Sequence, residues 1–443
     1  MTESNQDIAA RLIEAAKRAG AESADALVVS SDSTFVGIAE SKLEEAEHAE
    51  SRDFGLRVLI GPRQACVSSS NASGDAVREM AERAVAIARE APEDPYCGLA
   101  DTVSAQNPNL DLVDSEADPA PQTLEDMARE AEAAALAVTG VEQVEQASAS
   151  TGRLDIAIAA TNGFVGGYGR TNRSVSVSAI AGTGLERERD WSSEARRHRA
   201  DLPEPAVTGR LAGERAVERL HPRKPPSGAY PVLYDARVAP GLVGHLLSAI
   251  NGTAISRGAS WLLEALETQV LPLGMDIVEN PLLPRGPASR PFDAEGMASA
   301  KRALVDDGVL TSWVLDLATA RKLGLSSTGN ARRGTSAPPS PGTSNVRLTE
   351  GSRSRADLIR EMKTGLIVTS MIGSSINATT GAYSRGASGF WVEGGAIAYP
   401  VNEVTVAGSL PEMMRTLVPA NDADPHRAIS TPSLLVEGLT VGA

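Results

Sequence analysis

The residue types that carry most enzymatic chemistry are sparse in this chain. Five histidines (His48, His198, His221, His245, His426) and two cysteines (Cys66, Cys97) are spread over 443 residues. No histidine has a second histidine or a cysteine three or four positions away, the spacing that places two metal ligands on one helix face. Neither cysteine has a histidine or basic cluster nearby to lower its pKa, so nothing marks a nucleophilic thiol. Cys66 lies in an alternating stretch, where cysteine behaves as a small apolar strand residue. No lysine follows a glycine, which removes the phosphate-binding loop, and no dinucleotide fingerprint opens a helix. The serine elbow Gly-x-Ser-x-Gly is absent; Gly386-Ala387-Ser388-Gly389 is one residue short of it.

Two stretches remain. The first is Ala239-Pro240-Gly241-Leu242-Val243-Gly244-His245-Leu246. A lone imidazole there reads first as a hydrogen-bonded core histidine and only second as a ligand. The second is Asn377-Ala378-Thr379-Thr380-Gly381-Ala382-Tyr383-Ser384-Arg385-Gly386-Ala387-Ser388-Gly389-Phe390. Small and polar residues at this density permit close backbone approach and mixed donors, suited to holding a peptide main chain. Tight turns between barrel or sandwich strands would use the same residues, and both readings stand.

Particular elements must position these stretches. Ile8 to Ala19 has helical apolar spacing and stops at Gly20. Ala26–Val29, Thr34–Ile38 and Gly55–Ile60 are strand candidates, and Ala76 to Ala91 is an alanine-rich helix closed by Pro92. Asp101 to Ala120 reads as loop, Leu124 to Val138 as helix. Val141 to Ile180 reads as long strands around a tight turn at Thr161-Asn162-Gly163. Arg210 to Leu220 is an amphipathic helix, after which Pro222-Arg223-Lys224-Pro225-Pro226-Ser227-Gly228 reads as a linker. Beyond it come a short strand at Pro231–Tyr234 and a helix from Val238 to Ile250. Val270-Leu271, Val309-Leu310, Trp313–Leu315, Val346–Leu348, Gly365–Ile372 and Gly389–Val406 are strand-like. Ser336 to Asn345 reads as a loop and Asp357 to Met362 as a short helix. The expected fold class is α+β. Residues 1–221 form an N-terminal domain with a mixed or antiparallel sheet flanked by helices, 222–228 a linker, and 229–443 a mainly β domain, sandwich or barrel-like.

Bulk properties narrow the function classes. An apolar fraction of 42% with 22% charged residues belongs to a globular chain. A net charge of −15 argues against a nucleic-acid surface, and the arginines of 187–199 are interleaved with acids. The polar, acidic N-terminus has no signal-peptide pattern, no stretch is apolar enough to span a membrane, and few cysteines suit a reducing compartment. A cytoplasmic location is the expectation.

The segments Leu242–Leu246 and Asn345-Val346-Arg347-Leu348 resemble the TldD/PmbA family, once named modulators of DNA gyrase. So do the block Gly381 to Gly395, its continuation Ile397 to Gly408, and the closing Pro432 to Gly442; the likeness is to the PmbA/TldE branch. The resemblance implies a two-subunit peptidase acting on unfolded or linear peptides. It places a His-Glu-x-x-x-His zinc motif and a distant cysteine on the TldD-type subunit. The positions for the first histidine and the glutamate hold Pro240 and Gly241 here, His245 matches the second histidine, and Val418 to Pro425 has no cysteine. The expectation is therefore a subunit with no catalytic residue and no cofactor of its own, with zinc on a TldD-type partner. His245, Asn377, Tyr383, Ser384 and Arg385 are the candidate interface or peptide-chamber residues. Expected partners are that subunit and an extended peptide, with homodimers possible for the chain alone and no membrane or nucleic acid. The rival readings are an independent hydrolase using His245 and a regulatory protein binding gyrase.

Overall fold

The computed structural model describes residues 3–103 and 108–443. Part of the 101–120 loop expectation, at 104–107, lies outside the described residues.

Helix α1 (Asn5–Ala19) starts at Ser4, whose hydroxyl accepts from the Asp7 N–H while the Asp7 carboxylate answers the Ser4 N–H. It buries Ile8, Leu12, Ile13 and Ala16 and ends at Gly20, which takes the left-handed conformation with φ 96°. Strands β1 (Ser23–Ala39), β2 (Lys42–Ile60) and β3 (Arg63–Ser69) follow, then α2 (Gly74–Glu90) and α3 (Pro121–Leu136). Strands β4 (Val141–Ala160), β5 (Val165–Ala181) and β6 (Glu188–Arg196) precede α4 (Pro205–Glu218). All six strands form one antiparallel sheet in the order β3-β2-β1-β4-β5-β6.

Strand alternation divides this sheet into two working faces. Ala24, Ala26 and Val28 pack against α1 and α2, and Val36 and Ile38 against α3 and α4. Leu27 points the other way and meets Ile158, Phe164 and Phe292, the last from the C-terminal half. The two strands expected at Ala26–Val29 and Thr34–Ile38 are one strand of 17 residues. The polar run Ser30–Ser33 does not interrupt it, because β2 continues to pair opposite those residues. The turn at Thr161–Gly163 forms as expected, with Gly163 at φ 94° donating to Ala160 O.

The second half is built on a closed barrel. Strand β7 (Gly228–Tyr234) lies parallel to Gly365–Ile376 and antiparallel to Leu434–Gly442. Gly365–Ile376 pairs with Ala382–Glu393, which pairs with Ala396–Ser409. Thr405–Ala407 then pairs with Thr440–Gly442 and closes the ring. A smaller sheet of short strands, including Ile277–Glu279, Arg302–Asp306 and Val346–Leu348, lies in the same half. The fold class is α+β, with the barrel-like alternative realised in the C-terminal region.

Several local expectations need correction. The strand-like run Gly389–Val406 is split by a hairpin turn, with Gly394 and Gly395 both at positive φ. Val270-Leu271 forms no strand, only a bridge at the neighbouring Gln269, and Val314 makes a single bridge to Asn251. Helices at Leu317–Leu323 and Leu410–Thr416 had no sequence forecast.

Residues of the 222–228 run are tied down. Arg223 donates its N–H to Pro400 O and lies over the Tyr399 ring at 5.4 Å, while Lys224 Nζ donates to Asn402 O and Glu403 O. Further ion pairs lock the two halves. Arg333 reaches Asp25 of β1, Arg237 meets Asp190 of β6 at 2.9 Å, and Arg285 meets Asp111 at 2.6 Å. Among the described residues, no helix is long and apolar enough to cross a membrane.

Candidate functional site

Where β7 leaves the barrel at Tyr234, Asp235 donates its N–H to Val368 O and accepts the N–H groups of Val238 and Ala239. That turn launches α5 (Pro240–Ala249), with proline in the first turn, where a missing N–H costs nothing. Leu242, Val243, Leu246, Leu247 and Ala249 are buried. The remaining face carries Gly241, Gly244, His245 and Ser248. A Cβ added at Gly241 or Gly244 would meet nothing within 4 Å, so this face of α5 is open.

His245 is half-buried on that face and stands edge-on to Tyr383, ring centroids 6.0 Å apart at 71°. Burial and the Arg385 guanidinium hold its imidazole below the ordinary value, so it is neutral at pH 7. The Tyr383 hydroxyl points to Met371 Sδ at 3.6 Å. The fully buried Tyr234 lies nearby, and burial followed by the neighbouring Tyr383 pushes its phenol well above the usual range.

Three of the sequence candidates thus converge: His245, Tyr383 and Arg385. Ser384 alternates onto the opposite face of the strand from its two neighbours. Asn377 is exposed, and its side-chain oxygen accepts from the N–H groups of Thr379 and Thr380, which builds the hairpin turn. Arg385 Nε donates to Gly373 O at 2.7 Å and secures a bulge where Gly373 has φ 69°.

That bulged strand has a free edge. Gly365–Ile376 pairs with β7 only through Leu366–Val368, because the chain has by then turned into α5. From Thr369 onward, among the described residues, it pairs on one side alone, with Ala382–Glu393. Ile372 on this edge is 68% exposed, a large apolar side chain in open solvent. An unpaired edge next to an open helix face is suited to receiving an extended chain through main-chain hydrogen bonds.

The donor set does not fit a zinc ion. The neighbours of His245 are a phenol and a guanidinium, and the latter opposes any cation. Among the described residues, the one group of three His, Cys, Asp or Glu side chains with ligand atoms within 4.8 Å is Asp32, His48 and Glu50. All three are exposed on the β1–β2 hairpin and read as a solvated charge cluster. His198 is a structural residue, with Nε2 at 2.9 Å from Asp111 O. Burial pushes the thiols of Cys66 and Cys97 up, the reverse of nucleophile activation.

Sequence reasoning missed a buried charge system between the halves. Arg57 holds Asp25 across the β1–β2 pair, and Arg333 approaches the other carboxylate oxygen. Close by, Glu295 is pushed up to about 8 by burial and by the Asp293 and Asp316 carboxylates. The run Arg332-Arg333 was the only sequence signal for it.

Comparisons with known proteins cover the whole of this architecture. Residues 24–88, 114–220 and 227–443 match domain 1, the central domain and the C-terminal domain of the PmbA/TldA metallopeptidases. The first two matches meet inside the single six-stranded sheet. The chain is 36% identical to Metalloprotease PmbA of Escherichia coli O157:H7, over 90% of this chain and 88% of that protein. It is 33% identical to a PmbA homolog of Haemophilus influenzae, over 97% and 94%. A TldD homolog of Haemophilus influenzae shares 28% over 61% and 58%. A crystal structure from Bacteroides thetaiotaomicron, described as a modulator of DNA gyrase, superposes with TM-score 0.92 at 26% identity, covering 100% and 99%. TldE from Thermococcus kodakarensis shares the fold, with TM-score 0.87 at 18% identity, covering 98% and 100%.

Proposed function

The chain belongs to the PmbA/TldD metallopeptidase family, and from that premise we propose that it is the PmbA/TldE-type subunit of a heteromeric peptidase. It completes a chamber around the metal site of a TldD-type partner and binds no metal itself. The observation that carries this reading is the surface of α5. Pro240 and Gly241 stand where the resemblance puts a histidine and a glutamate, and His245 is surrounded by Tyr383 and Arg385 instead of carboxylate or thiolate.

In this reading the chain contributes recognition. The unpaired edge of Gly365–Ile376 accepts the main chain of an unfolded peptide, and the exposed Ile372 takes an apolar side chain. Arg385 keeps the bulge at Gly373 in place and so fixes the edge that the peptide reads. Because backbone groups dominate such an interaction, sequence tolerance is broad, and folded proteins are excluded for lack of a free strand. Zinc, and the water it activates, belong to the partner subunit.

Co-expression tests this. A peptidase activity on an unstructured peptide that neither chain has alone, and that co-purifies with both, is the expected result. Chelator-sensitive cleavage by this chain alone would overturn the proposal.

A further inference from the structure

The face of the N-terminal sheet that the helices leave free is laid out in register. Leu27 stands beside Ile158 and Val29 beside Ile156, which stands in turn beside Tyr168 of β5. One step along the same face Leu154 stands beside Arg170. Phe292 closes over this surface, edge-on to Phe164 at 5.0 Å and to Tyr168 at 5.5 Å. Segments 287–294 and 331–333 form the far wall of a cavity of about 320 Å³. That volume is at the small end of ligand sites and suits a group the size of one or two residues.

The rim is cationic in a chain of net charge −15. Arg170, Arg290, Arg332 and Arg333 line the cavity, and Arg197 lines the adjoining groove that shares Arg170 with it. Among the described residues, Arg170, Arg197, Arg290 and Arg332 make no ion pair with a carboxylate. Arg197 donates to Thr171 O and Pro287 O, and Arg290 to Ala331 O and Gly342 O. Neutral acceptors fix Arg197 and Arg290, and the carboxylates that act on this cluster through space, Asp293 on Arg290 and Glu279 on Arg332, form no ion pair with it. Burial and then the Arg170 charge pull Arg197 down to about 10.

The Arg333 side chain is fully buried; it pairs with Asp25, and its Nε and Nη2 have no acceptor. Arg290 is 7% exposed, and its Nε is likewise unpartnered. These nitrogens have no accessible surface and lie behind the cavity wall, so the cations a ligand can reach are Arg170 and Arg332. The carboxylate in the wall, Asp293, is already engaged, accepting from the N–H groups of Glu295, Met297 and Ala331.

We propose that this cavity binds a carboxylate carried on an apolar group. The apolar part lies on Leu27, Val29, Ile156 and Tyr168, and the carboxylate lies between Arg170 and Arg332. Two sources share this chemistry: the C-terminal residue of an unfolded peptide and a small free acid. The peptide source rests on the peptidase reading given above; the site does not.

Calorimetric titration of the full chain, without partner, tests it. The probes are N-acetyl-phenylalanine, its C-terminal amide, and N-acetyl-Ala-Ala-Phe. The free acid is expected to bind about tenfold or more tightly than the amide. Arg170→Gln and Arg332→Gln each weaken the acid by about tenfold and leave the amide unchanged, while Arg170→Lys keeps most of the binding. Neither arginine has a carboxylate partner, so the folded state tolerates both changes. Tighter binding of the tripeptide acid supports the peptide source, and weaker binding overturns that source. Equal binding of acid and amide, or no binding of either acid at millimolar concentration, overturns the site. Failure of the co-expression assay would leave this result intact, since the titration uses the isolated chain.

Discussion

Tyr383 stands edge-on to His245 at 6.0 Å between ring centroids, so the one imidazole of α5 is packed against an aromatic ring. The ring comes from the barrel strand Ala382–Glu393 and the imidazole from α5. The contact therefore joins the two sequence segments that carry the family resemblance.

This environment sets a titration. The folded chain resists protonating His245, because burial and Arg385 disfavour the charged ring. The unfolded chain takes that proton near the ordinary 6.5. Its folded-state value being depressed, stability falls as pH drops below about 6.5. NMR titration of the His245 ring should give a midpoint below that value. His245→Ala should remove this part of the pH dependence and cost about 1 kcal/mol at pH 8.

Asp25 should be indispensable to the joint between the halves. Replacing it with alanine leaves Arg57 and Arg333 buried without a counter-charge, at a cost of about 3–5 kcal/mol. Its carboxyl is held below the ordinary value: burial opposes ionisation, but the charges of Arg333 and Arg57 outweigh it. The stability it contributes is therefore complete above the usual aspartate value and is lost as pH falls through the folded-state one. Urea denaturation of Asp25→Ala at pH 7 should show the loss, and the difference from the parent chain should shrink in acid.

Glu295 works in the opposite sense. Its folded-state value of about 8 lies above the ordinary 4.5, so the folded chain holds a proton that the unfolded chain has released. Stability should decline as pH rises from about 4.5 to about 8, and no further above that. Glu295→Gln should flatten this decline, on the order of a few kcal/mol, in denaturation measured across that range.

Gly389 is required by the barrel. A Cβ there would sit 1.8 Å from Ile367 O, inside the paired strands, and nothing rigid can yield that much. Gly389→Ala should cost about 2 kcal/mol or more, or prevent folding, read as a drop in melting temperature or in soluble yield. Gly394→Ala is the contrast. No atom lies within 4 Å of its Cβ position, though its φ of 60° is strained for alanine, so the loss should be about 1 kcal/mol.

The sequence exposed local patterns more readily than distant partnerships. Gly20, Gly163 and the apolar spacing of Ile8–Ala19 identified a helix end, a turn and a buried face, because each is decided within a few residues. The long β1 was not legible: Ser30–Ser33 is polar, and only its pairing with β2 and β4 keeps it extended. Barrel closure was equally hidden, since it depends on Thr405–Ala407 meeting Thr440–Gly442. At the candidate site, Tyr383 and Arg385 were visible through the resemblance, and the structure gathers them with His245. Asn377 and Ser384 looked alike in sequence, but a turn claims the first and strand alternation separates the second. The arginine cavity was unreadable because Arg170, Arg290 and Arg332 each resemble an ordinary surface charge until β5 and two loops face one another.

The most direct test of the central claim is the zinc content of each chain in the purified assembly, measured after the subunits are separated. The account predicts zinc on the TldD-type chain and none above background on this one, unchanged by His245→Ala. Stoichiometric zinc on this chain, lost in His245→Ala, would contradict it.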